Sequence, residues 1–277
     1  MNLSMTGELA AAYKSGSQRA GKVTEAWGAD NFYCPNCSSP KLDWLKPGTA
    51  ANDYQCPSCG FWYQLKSKKS PIGKSIRDGA YKAMMDAIKE DRAPSYFFLH
   101  YDLETWSVKN LILVPHFAFP PSAIIECPPL SPTARRAGWV GCNFALNRIP
   151  ADARIPVVIE KQIVPASEVR SLFRKVKPLK EISVKQRGWT LDVLNVVRRI
   201  ISEGRAPRDP NFSEMSGTRG TRPSDTFTTA EVYAFAPELE KLHPGNRHIR
   251  DKIRQQLQVL RDLGFLIHVE RGEWRLK

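Results

Sequence analysis

Long apolar runs are missing from this sequence. None reaches the roughly 18 residues that a bilayer-spanning helix needs, so neither a membrane-spanning helix nor a membrane partner is expected. The opening Met1-Asn2-Leu3-Ser4-Met5-Thr6-Gly7 lacks the charged and apolar blocks of a secretory signal, so a cytoplasmic location is expected. Acidic residues are also in deficit, 28 Asp+Glu against 41 Lys+Arg, giving a formal charge of +13 and a pI near 9.6. Such an excess places nucleic acid first among polyanionic partners. The excess is not a tail: residues 187–277 hold 16 basic and 12 acidic residues, so most of it lies in the first 186. Both halves can therefore meet a phosphate backbone.

Cysteine is scarce, six in 277 residues, and four of the six stand in two C-x-x-C pairs. In a reducing compartment that spacing favours zinc over disulfides, and leaves Cys127 and Cys142 as expected buried thiols. Cys34, Cys37, Cys56 and Cys59 make a C-x2-C-x18-C-x2-C pattern, in which each turn presents two thiolates at tetrahedral spacing. A closed four-thiolate site has no open position for substrate, so the zinc is expected to be structural; redox chemistry is the alternative for such pairs.

At 42% hydrophobic residues the chain can bury a proper core, in one large domain or two. Asp53-Tyr54-Gln55 and Phe61-Trp62-Tyr63-Gln64-Leu65-Lys66 alternate as paired strands, with the second cysteine pair as their turn. Gln64 and Lys66 then share a face. If Asp53 lies opposite, a carboxylate, an amide oxygen and an ammonium converge, which is the chemistry of metal-assisted phosphodiester hydrolysis. The D-x10-Q-x-K spacing alone is a weak pattern.

Upstream, residues 8–28 read as one amphipathic helix, on which Glu25 either faces solvent or reaches toward Asp53. Downstream, 66–70 reads as a basic loop and 74–91 as a helix. The runs 95–101 and 106–114 suit central strands of a mixed sheet. From Pro115 to Pro156 the texture is that of loops, including Arg135, Arg136 and Trp139 between glycines. Arginines there can take phosphates or guanine, and the indole can stack on bases; a surface turn anchored by Trp139 is the plainer reading. Residues 165–186 read as a charged connector.

The last ninety residues divide into a helix at 189–202, a Pro- and Gly-rich flexible insertion at 203–226 and a helix capped by Thr228 or Thr229 that runs to Leu242. A helix from about Arg247 to Leu263 follows, then a hairpin turning at Gly272. Three helices and a hairpin describe a winged helix. Its third helix carries Ile249, Ile253, Leu257 and Leu260 on one stripe and Arg247, Arg250, Arg254, Gln255, Gln258 and Arg261 elsewhere, donors and acceptors suited to base edges. A winged helix used for protein contacts is the alternative.

Several segments together resemble the DpnI-type methyl-directed restriction endonucleases: Ser131-Pro132-Thr133-Ala134-Arg135-Arg136-Ala137-Gly138-Trp139-Val140-Gly141-Cys142-Asn143, Leu65-Lys66-Ser67-Lys68-Lys69, Asp78-Gly79-Ala80-Tyr81, Arg187-Gly188-Trp189-Thr190 and 252–262. The similarity runs in the same order over nearly the whole chain. It implies an α/β PD-(D/E)xK catalytic domain with an embedded zinc site over 1–183 and a winged-helix domain over 184–277, both reading adenine-methylated double-stranded DNA. It implies cleavage at a GATC-like site with N6-methyladenine, with Mg2+ or Mn2+ as catalytic cofactor. By the resemblance the acidic ligand falls on Asp53, the second ligand on Gln64, with Leu65 beside it among the magnesium positions, and the catalytic lysine on Lys66. The base-reading loop falls on Arg135 to Trp139, where Trp139 would insert at the target. Two departures stand out: Gln64 replaces an acid, and the 203–226 insertion is long. The amide removes a negative charge, which predicts weaker metal affinity with Glu25 as the nearest compensating acid; a catalytically inactive methyl-DNA reader is the competing expectation. No pattern here encodes an oligomeric state, and a monomer is compatible.

Overall fold

The computed structural model describes residues 1–45, 52–203 and 225–277, so the expected insertion at 203–226 lies almost wholly outside the described residues. The chain opens with a 3-10 turn at Gly7–Ala10 and helix α1 at Gly16–Asn31. The single helix expected over 8–28 is therefore broken. Ser15 takes an extended conformation and its hydroxyl accepts the Gln18 N–H at 3.3 Å, starting α1 afresh as an N-cap.

Strands β1 (Asp43–Trp44), β2 (Tyr54–Gln55) and β3 (Trp62–Lys68) follow; β2 and β3 form the expected pair, with Tyr54 opposite Tyr63. The basic stretch after Lys66 extends β3 to Lys68 and is not yet loop. The helix expected over 74–91 divides into β4 (Ser75–Ala80) and α2 (Tyr81–Lys89). Its first half carries β-branched Ile76 and Gly79, both poor helix residues, and pairs with a strand distant in sequence, so tertiary pairing decides its state.

Next come β5 (Ser95–Asp102) and β6 (Ser107–Val114), as expected, and then β7 (Ile124–Glu126) and β8 (Gly141–Ala145) inside the stretch read as loop. Strands β9 (Ile155–Ile159) and β10 (Gln162–Ile163) precede helix α3 (Ala166–Val176). The supposed connector thus contains an amphipathic helix that buries Val169, Phe173 and Val176.

Among the described residues seven strands form one mixed sheet in the order β1-β2-β3-β5-β6-β9-β10, with β3 and β5 parallel and the other pairs antiparallel. Strand β5 is buried from Ser95 to Tyr101 because both faces of the sheet are covered. On one face α1 brings Phe32 to stack on Phe97 at 4.1 Å. On the other the small sheet β4-β8-β7 sets Phe144 against Tyr96 and Phe98, at 4.7 and 5.5 Å.

The C-terminal part holds α4 (Val184–Glu203), β11 (Thr226–Thr228), α5 (Thr229–Tyr233), α6 (Ala236–Leu242), α7 (Ile249–Asp262), β12 (Leu266–Glu270) and β13 (Glu273–Leu276). The expected helix from 228 to 242 starts at Thr228, which forms a capping box with Glu231, but it is interrupted between Tyr233 and Ala236. The three strands pair in the order β11-β13-β12. Helix α4 is fastened to the preceding unit: the buried Arg187 guanidinium lies 2.6 Å from Asp91, Ser122 donates to Asp192 at 2.6 Å, and Arg198 pairs with Asp152. No helix among the described residues is long and apolar enough to cross a membrane.

Candidate active site

Asp53 stands immediately before β2, where its N–H donates to the Tyr63 carbonyl at 3.0 Å. Its Oδ2 accepts the Leu65 N–H at 2.7 Å, which turns the carboxylate back onto β3 between Gln64 and Lys66. Alternation along β3 buries Tyr63 and Leu65 on the α1 side and leaves Gln64 and Lys66 half-buried on the other. The four positions the sequence assigned to one hairpin are thus together: Asp53, Gln64, Leu65 and Lys66.

The charges explain what the arrangement can hold. Burial lifts the Asp53 carboxyl above its ordinary range, against the opposing pull of the Leu65 N–H and the Lys66 charge. Glu25, on α1, is lifted by burial first and then by the Asp53 charge, with Lys22 at 3.8 Å pulling the other way. Its side chain is 32% exposed, so it is no free helix-surface acid. Two carboxyl groups held in one partly desolvated field are a place where a cation gains. Glu25 is fixed there because the Tyr54 hydroxyl donates to its carbonyl at 2.7 Å; Gly28, one turn on, allows this, since a Cβ would collide with that hydroxyl.

One member of the cluster lies in a segment that carries the resemblance, Asp78-Gly79-Ala80-Tyr81, but is given no role by it. Lys66 Nζ lies 2.5 Å from Oδ1 of Asp78 on β4, whose side chain is only 7% exposed. The signal was the alternation of Ile76, Asp78 and Ala80, hidden by reading 74–91 as a helix.

The Sγ atoms of Cys34, Cys37, Cys56 and Cys59 all lie within 4.8 Å of one another, with Cys34 and Cys59 at 3.6 Å and Cys37 and Cys56 at 3.5 Å. A tetrahedral zinc with Zn–S bonds of about 2.3 Å requires sulfur separations of about 3.8 Å, so the cluster fits a structural metal such as zinc. Burial pushes the Cys34 thiol up. Cys56 is brought down to about 7: burial opposes this, but the N–H groups of Cys59 and Ser58 and the neighbouring thiols outweigh it. On the outside, Arg170 of α3 donates from Nε to the carbonyls of Cys34 and Cys37 at 3.1 and 2.9 Å, clasping the first knuckle. Of the other two cysteines Cys142 is buried, as expected, and Cys127 only partly so.

Arg135 and Arg136 are exposed on the loop before β8, and the Arg136 guanidinium lies over the Trp139 ring at 4.6 Å. Trp139 is half-buried on its own loop, where a Cβ at Gly141 would come within 2.9 Å of the indole; it does not anchor the main core. On α7, Ile253, Leu257 and Leu260 face inward while Arg250, Arg254, Gln255, Gln258 and Arg261 are exposed. Arg247 is exposed just ahead of the helix, and Arg254 pairs with Asp251 on the surface. A cavity of 960 Å³ at the head of α7 brings Arg247, Lys252 and Gln255 beside Trp189 and His243, whose rings stack at 3.8 Å.

Residues 1–182 match the Dam-replacing family, described under DpnI, and residues 222–276 match the Dam-replacing helix-turn-helix domain. The first match alone covers well over half of the chain, in the part that holds the Asp53 cluster and the cysteine cluster. The chain belongs to the Dam-replacing family of DpnI-type, methyl-directed restriction enzymes.

Proposed function

We propose that this protein is a Mg2+-dependent endonuclease of the PD-(D/E)xK type that cuts double-stranded DNA at a short, GATC-like site containing N6-methyladenine. The observation that carries this reading is the 2.7 Å hydrogen bond from the Leu65 N–H to Asp53, which brings a half-buried carboxylate against the Gln64-Leu65-Lys66 strand. The donors there are hard oxygens, the Asp53 carboxylate, the Gln64 amide and the Leu65 carbonyl, with the Glu25 carboxyl in the same field; they suit Mg2+ or Mn2+ and not a thiophilic metal. Held there, the ion supplies polarisation of the phosphate and an activated water. Lys66 contributes a cation for the charge that develops on the phosphate, and Glu25 and Asp53 supply the negative field that Gln64 does not.

Recognition is assigned to two surfaces, the Arg135–Trp139 loop and α7 of a winged-helix domain. Burying one methyl group yields only roughly 0.8 kcal/mol, too little for strict dependence. Reading two methyl groups on separate surfaces multiplies the discrimination. Incubating the protein with adenine-methylated and unmethylated plasmid in Mg2+ or Mn2+ tests the reading. Cleavage of the methylated plasmid alone is expected; binding without nicking, unaffected by Lys66→Ala, would instead identify a methyl-DNA reader.

A further inference from the structure

We infer that Asp78 is a positioning residue of the Asp53–Gln64–Lys66 centre: its carboxylate takes up the charge of Lys66 and so leaves the Asp53 charge available to a divalent cation. The inference rests on the nuclease reading above and adds a residue to it.

Placement comes first. Strand β4 pairs with β8 in the small sheet, and its inward face carries buried Ile76 and then Asp78. The register shifts between Arg77 and Ala80, and such irregularities re-aim side chains at the edge of a site. The same small sheet covers the face of β3 and β5 that bears Gln64, Lys66, Tyr96 and Phe98. Asp78 and Lys66 therefore meet across the gap between two sheets, at 2.5 Å, with side chains 7% and 23% exposed. Tyr96 lies in the same space: burial raises its phenol, and the charges of Asp78, Cys142 and Asp53 raise it further.

Charge then gives the pair a purpose. An acid at position 64 would join Asp53 in outweighing the lysine, but Gln64 is neutral. Asp53 and Lys66 alone would sum to zero, and the ammonium would compete with any cation for the carboxylate. With the Glu25 carboxyl, itself drawn on by Lys22 at 3.8 Å, contributing to the same field, Asp78 offsets the lysine and restores one negative charge. Its strand belongs to the other sheet, so Lys66 is also drawn to one orientation over the Gln64 face.

The test uses the full zinc-loaded chain bound to adenine-methylated duplex, with Mn2+ binding followed by the electron-paramagnetic signal of the free ion and the Mg2+ dependence of plasmid cleavage measured alongside. Asp78→Asn should weaken Mn2+ binding about tenfold and shift the Mg2+ requirement in the same direction, with duplex binding in chelator unchanged. Asp78→Glu should keep most of the affinity. If Asp78→Asn folds poorly, the neutral pair Lys66→Met with Asp78→Asn removes the uncompensated charge, and it should return Mn2+ affinity to within about threefold of the parent. Parent-like Mn2+ affinity in Asp78→Asn would overturn the inference, and so would a double variant as weak as Asp78→Asn, because Asp78 would then act through something other than the lysine. The nuclease reading fails separately: a parent protein that binds Mn2+ and methylated duplex but never cuts would sink that reading, whereas a parent that cuts beside an unaltered Asp78→Asn would sink only the role of Asp78.

Discussion

The hydroxyl of Tyr63 lies 3.3 Å from the Sγ of Cys34, on the strand whose next residue is Gln64. The Tyr63 carbonyl meanwhile accepts the Asp53 N–H. One buried tyrosine thus joins the cysteine cluster to the backbone that carries the candidate active site, and each depends on the other's order.

Removing the metal from the cysteine cluster should therefore cost both stability and activity. A loss of about 5 kcal/mol would lower the melting temperature by roughly 10–20 °C in a chain of this size. Thermal melts and cleavage assays before and after chelation, with Cys56→Ser alongside, measure it. Tyr63→Phe should retain the metal and lose about 1 kcal/mol. Equal melting with and without bound metal would show that the cluster is not structural.

Gln64→Glu adds a carboxylate beside Asp53 and should reduce the Mg2+ needed for half-maximal cleavage by about tenfold. Glu25→Ala should raise that requirement, since Glu25 and Asp53 share one field. Mg2+ titrations of cleavage decide it; no change in either variant would remove Glu25 as the compensating acid.

Trp139 packs on its own loop, so Trp139→Ala should leave the melting temperature nearly unchanged while weakening binding to methylated duplex by about 1–3 kcal/mol. Fluorescence anisotropy with methylated and unmethylated duplexes reads both affinity and discrimination. A large drop in melting temperature would make Trp139 a structural anchor.

Arg250 is exposed on α7, its guanidinium 5.4 Å from the Tyr233 ring. If α7 faces DNA, Arg250→Ala should reduce the slope of log affinity against log salt by about 1. An unchanged slope at every salt concentration would point α7 toward another partner.

His116 supplies a pH test. Burial holds its imidazole down to about 4, with Arg187 and Lys180 acting in the same direction and Asp91 opposing. The unfolded chain therefore binds the proton more readily than the folded one. Its contribution is fully present above the ordinary histidine range, near 6.5, and is lost as pH falls from there toward about 4. Denaturant unfolding across that window should show stability falling with acid, and His116→Gln should flatten part of the fall.

Features governed by local spacing were legible in the sequence. The two C-x-x-C pairs, the alternation through Gln64-Leu65-Lys66, the apolar runs of β5 and β6 and the amphipathic stripe of α7 all carry their periodicity in a few consecutive residues. β4, β7 and β8 were not legible, since each is short and finds its hydrogen-bond partner far along the chain, Ile76 opposite Phe144 and Ile124 opposite the same residue. Propensity cannot report a partner that only folding supplies.

The amino-acid sequence by itself determined the four-cysteine cluster, the basic excess, the DpnI-type resemblance and the order Asp53, Gln64, Lys66, because each is written in residue type and spacing. Only the tertiary structure decided that Glu25 enters the field of Asp53 and that Asp78 meets Lys66. Those two relationships arise where a helix and a second sheet close over opposite faces of β3, and a charge acts through distance in space, not separation along the chain.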